Sequence, residues 1–180
     1  MLQVQNNMAL YKKEEADIFD NLYNKFNSSD LSLAYKLQAF PLWVRRQDIA
    51  YFMAKYEIFK KIVHVNGSIV ECGVFVGSGT LTWLHCSSIL EPYNHTRKII
   101  AFDTFSGFPD VEKKDVQTGT SEHLVEGGLN TNPSMYDELT ELVKIHDANR
   151  PLSHINKVEL IKGDACEKIK KYTEDNPHLL

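Results

Sequence analysis

No apolar run in this chain approaches the ~18 residues that a membrane span requires. The first residues, Met1 to Lys13, are polar and contain no signal-peptide core. Positive charge is not in excess either. A formal net charge of −4 and a pI near 6.0 give no electrostatic case for nucleic acid or for an anionic membrane. Cysteine is scarce: Cys72, Cys86 and Cys166 are odd in number and form no CxxC pair. They are expected to be buried free thiols, Cys72 at a strand end and Cys86 on a helix's apolar face, in a reducing, cytoplasmic setting. His64, His85, His95, His146, His154 and His178 show no metal-ligand spacing such as HxxxH with an added acid, so no residue is assigned to a metal. The G-x-G-x-x-G pattern of nicotinamide-binding domains is absent as well.

What the sequence does hold is the core of a single α/β domain: 180 residues, 43% of them hydrophobic. Residues 1–66 read as a helical N-terminal extension. Ile18, Phe19, Leu22, Tyr23 and Phe26 share one stripe, and Ile49, Tyr51, Phe52, Tyr56, Ile58, Phe59, Ile62 and Val63 share another between Arg46 and Val65. Asn27-Ser28-Ser29-Asp30 interrupts the first helix, and Asn66-Gly67 ends the second. Arg45-Arg46 is read as a surface ion-pair site at a helix start rather than an anion site.

From residue 67 the pattern changes to strands and helices in alternation. Strands are expected over Ser68–Gly73, Lys98–Asp103 and Lys157–Ile161, with helices from Ser78 to Leu90, from Met135 to about Asp147, and from Cys166 to Asn176-Pro177. Residues 104–134 are polar and glycine-rich and read as a lid-like loop. The first strand ends in Glu71, Gly73, Val74, Gly77, Ser78, Gly79 and Thr80, a turn in which glycines let backbone amides approach a ligand at a helix start. The second ends on Asp103 with Thr104 and Phe105, and the third on Gly163, Asp164 and Ala165. Glycine turn and acid at successive strand ends suggest a nucleoside-type cofactor bound across a parallel sheet.

These elements resemble a class I S-adenosylmethionine-dependent methyltransferase. Val70-Glu71-Cys72-Gly73-Val74 with Gly77, and Phe102-Asp103-Thr104-Phe105-Ser106-Gly107-Phe108-Pro109, are similar to the macrocin O-methyltransferase group. Arg46-Gln47, Tyr56-Glu57-Ile58-Phe59, Thr118-Gly119-Thr120-Ser121-Glu122-His123 and Lys157-Val158-Glu159-Leu160 look closest to nucleotide-deoxysugar O-methyltransferases of the calicheamicin type. The resemblance implies a Rossmann-like sheet, of which residues 67–180 hold the first three parallel strands, and a chain that stops before the fourth. It implies methylation of a sugar hydroxyl, on a deoxysugar or sugar nucleotide, with S-adenosylmethionine as donor. Glu71 and the glycines would then face the cofactor's amino-acid end, Asp103 the ribose hydroxyls, and Asp164 with Ala165 the adenine. Glu122 and His123 would meet the substrate. In the family Mg²⁺ assists, but its ligands and the catalytic residues are expected beyond Leu180, so the chain alone is expected to be inactive. A homo-oligomer is expected. The rival readings are a non-catalytic module that binds cofactor or a partner chain, and a nicotinamide-binding Rossmann domain.

Overall fold

A computed structural model describes residues 13–111 and 124–179. The chain divides into two compact units, Met1–Ala54 and Lys55–Leu180. In the first, α1 (Lys13–Ser28) is followed by the short α2 (Leu33–Gln38) and by a 3-10 turn, Phe40–Leu42. Neither of these short pieces is legible from periodicity, because six and three residues are too few to display a stripe. Within this unit Phe26 meets Trp43 edge to face, ring centroids 5.4 Å apart. Helix α3 (Arg46–Ile62) runs across the boundary between the units. Of its expected apolar stripe, Tyr51, Phe52 and Ile58 face solvent, Ile49, Tyr56, Ile62 and Val63 are half-buried, and Phe59 is buried together with Lys55.

The second unit is built on three parallel strands, β1 (Ile69–Cys72), β2 (Ile99–Asp103) and β3 (Val158–Lys162), in the order β1-β2-β3. Between them run α4 (Ser78–Leu90) and α5 (Met135–Ala148), and α6 (Ala165–Asp175) follows β3. The sheet places Ile69 opposite Ile99 and Ile99 opposite Val158, so the three strands start level with one another, and β2 and β3 run one residue past the end of β1. Strand β2 is buried on both faces, which is why it reads as an unbroken apolar run. Ile99 and Ala101 join Leu84 of α4 and Leu139 and Val143 of α5 in one core. On the other face Phe102 meets Tyr172 of α6 edge to face at 5.8 Å.

Strand β1 differs. It pairs with β2 alone among the described residues, and its Val70 is 51% exposed. This overturns the expectation of buried thiols in part: Cys72, on that one-sided strand, is exposed, as is Cys166 in the first turn of α6, while Cys86 is buried. No helix among the described residues is long and apolar enough to cross a membrane.

A buried ion network ties the starting ends of the strands together. Arg97 donates from Nε to Glu91 (2.8 Å) and through its other nitrogens to the carbonyls of Ile62, Val65 and Gly67. Lys157 donates to the Asn94 carbonyl at 2.6 Å, with Glu91 at 4.0 Å. Burial lowers the Lys157 ammonium from its ordinary value to about 8, the Glu91 carboxylate opposing that shift.

Candidate functional site

A cleft of about 390 Å³ opens at the carboxyl ends of the three strands. Its walls are Cys72 at the end of β1 with Gly73 and Phe75 after it, Phe102 to Thr104 at the end of β2, and Gly163 to Ala165 after β3. This is where an open parallel sheet binds its ligands, because the loops there diverge to either face.

Asp103 organises the floor. One carboxylate oxygen accepts from the Phe75 amide at 2.8 Å and the other from the Phe105 amide at 2.6 Å. Both donors carry a left-handed backbone, Phe75 at φ 53° and Phe105 at φ 55°, a conformation that costs a side-chain-bearing residue energy. The carboxylate therefore holds two strained turns against each other. Each of its oxygens keeps further lone-pair capacity, since a carboxylate offers about four acceptor sites.

Gly73 has φ +84°, and a Cβ there would meet nothing within 4 Å, so the backbone borders open space. Gly77, at φ +85°, is the N-cap of α4, and as a glycine it supplies no side-chain cap. A Cβ on Gly77 would come within 2.4 Å of Leu139. The amides of Ser78, Gly79 and Thr80 thus precede any intrahelical partner and give the turn a positive end.

Glu71 lies behind this turn, away from the cleft lining. Its Oε1 accepts from Lys55 Nζ at 2.9 Å, and its Oε2 accepts from the Thr80 hydroxyl at 2.5 Å. Both of its oxygens thus have close partners within the chain, and Glu71 is not among the residues that line the cleft. Thr80 is fully buried, and its hydroxyl is given to Glu71. Gly79 has no room for a side chain, since a Cβ would lie 2.3 Å from Glu71 Oε1 and 3.0 Å from Lys55 Nζ. Val74 and Phe105 are core residues, each 4% exposed, and support the site from beneath. Ser78 is exposed beside the turn without lining the cleft.

Asp164 caps α6, accepting from the Cys166 amide at 2.9 Å. Gly163, at φ +138°, gives way to the Lys168 side chain, which a Cβ would strike at 2.4 Å. Thr104 turns inward within its own loop: its hydroxyl donates to the Gly107 carbonyl at 2.5 Å and accepts from the Ser106 amide at 3.2 Å.

The described ends of the 104–134 connection form the roof. Phe108 donates to the Gly128 carbonyl (3.1 Å) and accepts from the Gly127 amide (2.9 Å), so the two arms are joined by backbone. Gly107, at φ +86°, permits the join, because a Cβ there would stand 2.5 Å from the Gly127 carbonyl oxygen. Gly107, Phe108, Pro109, Gly128 and Leu129 all line the cleft. Glu122 and His123 lie outside the described residues.

Of the residues expected at the site, Gly73, Asp103, Thr104, Gly163, Asp164 and Ala165 line one cleft. Lys55 went unrecognised in the sequence. Its signal is its position four residues before Phe59: a lysine on the buried face of a helix requires an acidic partner. Arg45 pairs with Asp48 at 2.9 Å, the surface ion pair expected at the start of α3. Among the described residues no group of three or more His, Cys, Asp or Glu is arranged to hold a metal ion.

No family model and no curated protein sequence matches the chain. Solved structures do. The crystal structure of CalS11, a calicheamicin methyltransferase, superposes with a TM-score of 0.88 at 26% identity over 94% of this chain. The chain has a methyltransferase fold. A second structure of CalS11, described as a TDP-rhamnose 3'-O-methyltransferase of calicheamicin biosynthesis, superposes with a TM-score of 0.77 at 22% identity. The chain spans 65% of the length of the first CalS11 chain and 64% of the second, and it fits the N-terminal portion of that fold.

Proposed function

We propose that the cleft is the S-adenosylmethionine site of a sugar O-methyltransferase, acting on a deoxysugar or a sugar nucleotide. The observation that carries this reading is Asp103, a carboxylate at a strand end that is anchored by the Phe75 and Phe105 amides and borders the cleft. The adenosine half of the cofactor has two vicinal hydroxyls, and the remaining acceptor capacity of Asp103 suits them. Gly73 offers the close backbone approach, and the uncapped start of α4 suits a carboxylate. The cleft volume lies within the range of sites for small molecules of this size.

Bound there, S-adenosylmethionine supplies an electrophilic methyl group. The chain's own part is to hold the ribose at Asp103, to cover the adenine with the Phe108–Pro109 and Gly128–Leu129 arms, and to exclude water beneath that roof. The sugar acceptor rests on the likeness to CalS11, as does the nucleotide that would carry the sugar. Glu122 and His123, on the same connection as the roof, are proposed to meet that substrate. The described residues show no cluster fit for Mg²⁺, and no step is assigned to it.

Thermal unfolding with S-adenosylhomocysteine and, separately, with NAD tests the reading. A ligand at a hundredfold excess over its Kd stabilises by about 2.7 kcal/mol. An upward shift is expected with S-adenosylhomocysteine alone. A shift with NAD instead would assign the cleft to a nicotinamide cofactor.

A further inference from the structure

We infer that Lys55 is a positioning residue for the amino-acid end of the cofactor, acting by cancelling the charge of Glu71 beside the first turn of α4. The inference rests on the cofactor reading above and deepens it.

Four observations converge. Lys55 and Glu71 form an ion pair at 2.9 Å, with both side chains only 11% exposed. The Lys55 ammonium also lies 4.1 Å from the centroid of the Trp83 ring, so α3 and α4 both hold it in place. Glu71 is fastened to α4 by Thr80, and its Oε1 lies so close to Gly79 that no Cβ fits between them. Finally, the N-cap of α4 is Gly77, which supplies no side-chain cap.

A carboxylate buried against a helix start would by itself occupy the positive end that a ligand carboxylate needs, and would repel it. Lys55 removes that repulsion without spending any α4 amide. The glycine turn then presents its amides next to a neutral pair rather than next to a negative charge. Gly79 is what lets the pair lie this close. The ligand class this arrangement suits is an adenosine derivative with a charged amino-acid tail. A tail without the carboxylate should be indifferent to Lys55.

Calorimetric titration with two ligands separates this from a purely structural role. S-adenosylhomocysteine carries the amino-acid tail, and 5'-methylthioadenosine keeps the nucleoside without it. Lys55→Met is expected to weaken S-adenosylhomocysteine about tenfold, equivalent to about 1.4 kcal/mol, and to leave methylthioadenosine within about twofold. The double variant Lys55→Met with Glu71→Gln is expected to recover most of that loss, and Lys55→Arg to avoid it. Should Lys55→Met fail to fold, Glu71→Gln alone reads the same charge with the opposite sign: tighter S-adenosylhomocysteine, unchanged methylthioadenosine. Parallel weakening of both ligands, or no recovery in the double variant, overturns the inference. So does weaker S-adenosylhomocysteine binding in Glu71→Gln. Wild-type protein that binds neither ligand overturns the cofactor reading itself, and this inference with it.

Discussion

Asp103 shows how one side chain can serve fold and site together. Its carboxylate links the Phe75 and Phe105 amides, and both of those residues have positive φ. Asp103→Asn keeps the shape but leaves one acceptor oxygen for two amides. Leaving one such donor unsatisfied costs about 1–3 kcal/mol, so a lower melting temperature is expected together with weaker S-adenosylhomocysteine binding by calorimetry. The glycines divide in a similar way. Gly73→Ala adds a methyl facing open space at φ +84°, for a backbone strain of about 1–2 kcal/mol. Its larger effect is expected on ligand affinity. Gly77→Ala drives a methyl toward Leu139 in the core, with overpacking of about 1–3 kcal/mol added to similar strain. Its larger effect is expected on the melting temperature. Both glycines stand out in the sequence as members of one turn; their opposite surroundings do not, because Leu139 lies sixty-two residues away from Gly77 in the chain.

At the scale of elements, the strand–helix alternation after residue 67 was readable because each piece has its own period and punctuation. Asp164 is both a site candidate and the cap of α6, and Asp164→Ala is expected to cost about 1 kcal/mol through the lost cap. Circular dichroism of thermal unfolding checks this. The roof is a different matter. Its two arms are far apart in sequence, and what joins them is a pair of backbone hydrogen bonds between Phe108 and Gly127–Gly128. Composition marks such a segment only as a loop. Gly107→Ala places a methyl against the Gly127 carbonyl, and backbone cannot give way as a side-chain tip can. The arms are expected to part, with ligand affinity falling well before global stability does. Amide hydrogen exchange at Phe108 and Gly127, faster in the variant, is the measurement that reads it.

For the whole molecule the buried network at the strand starts controls how stability responds to pH. Lys157 titrates near 8 in the folded protein, below the ordinary 10.5 of a lysine. Between those values the unfolded chain binds more protons than the folded one, so this residue makes stability rise with pH across that window. Burial raises the Cys86 thiol, and burial with the Glu159 hydrogen bond raises the Tyr172 hydroxyl, so both act with the opposite sign above their ordinary values of 9.0 and 10.0. Denaturant unfolding of wild type and Lys157→Met from pH 7 to 10 isolates the lysine: the difference in stability between the two proteins should change in favour of wild type as pH rises. The sequence by itself determined the order and type of the main elements of the sheet unit, and the strand ends that carry glycine and acid, because period, caps and breakers are local properties of the chain. Which of those residues line the cleft was decided only by tertiary structure. Glu71 and Thr80 turned inward because Lys55, sixteen residues upstream of Glu71, supplies a buried charge that had to be matched. That match depends on bringing Lys55 beside Glu71 and the Trp83 ring of α4, and no local pattern encodes it.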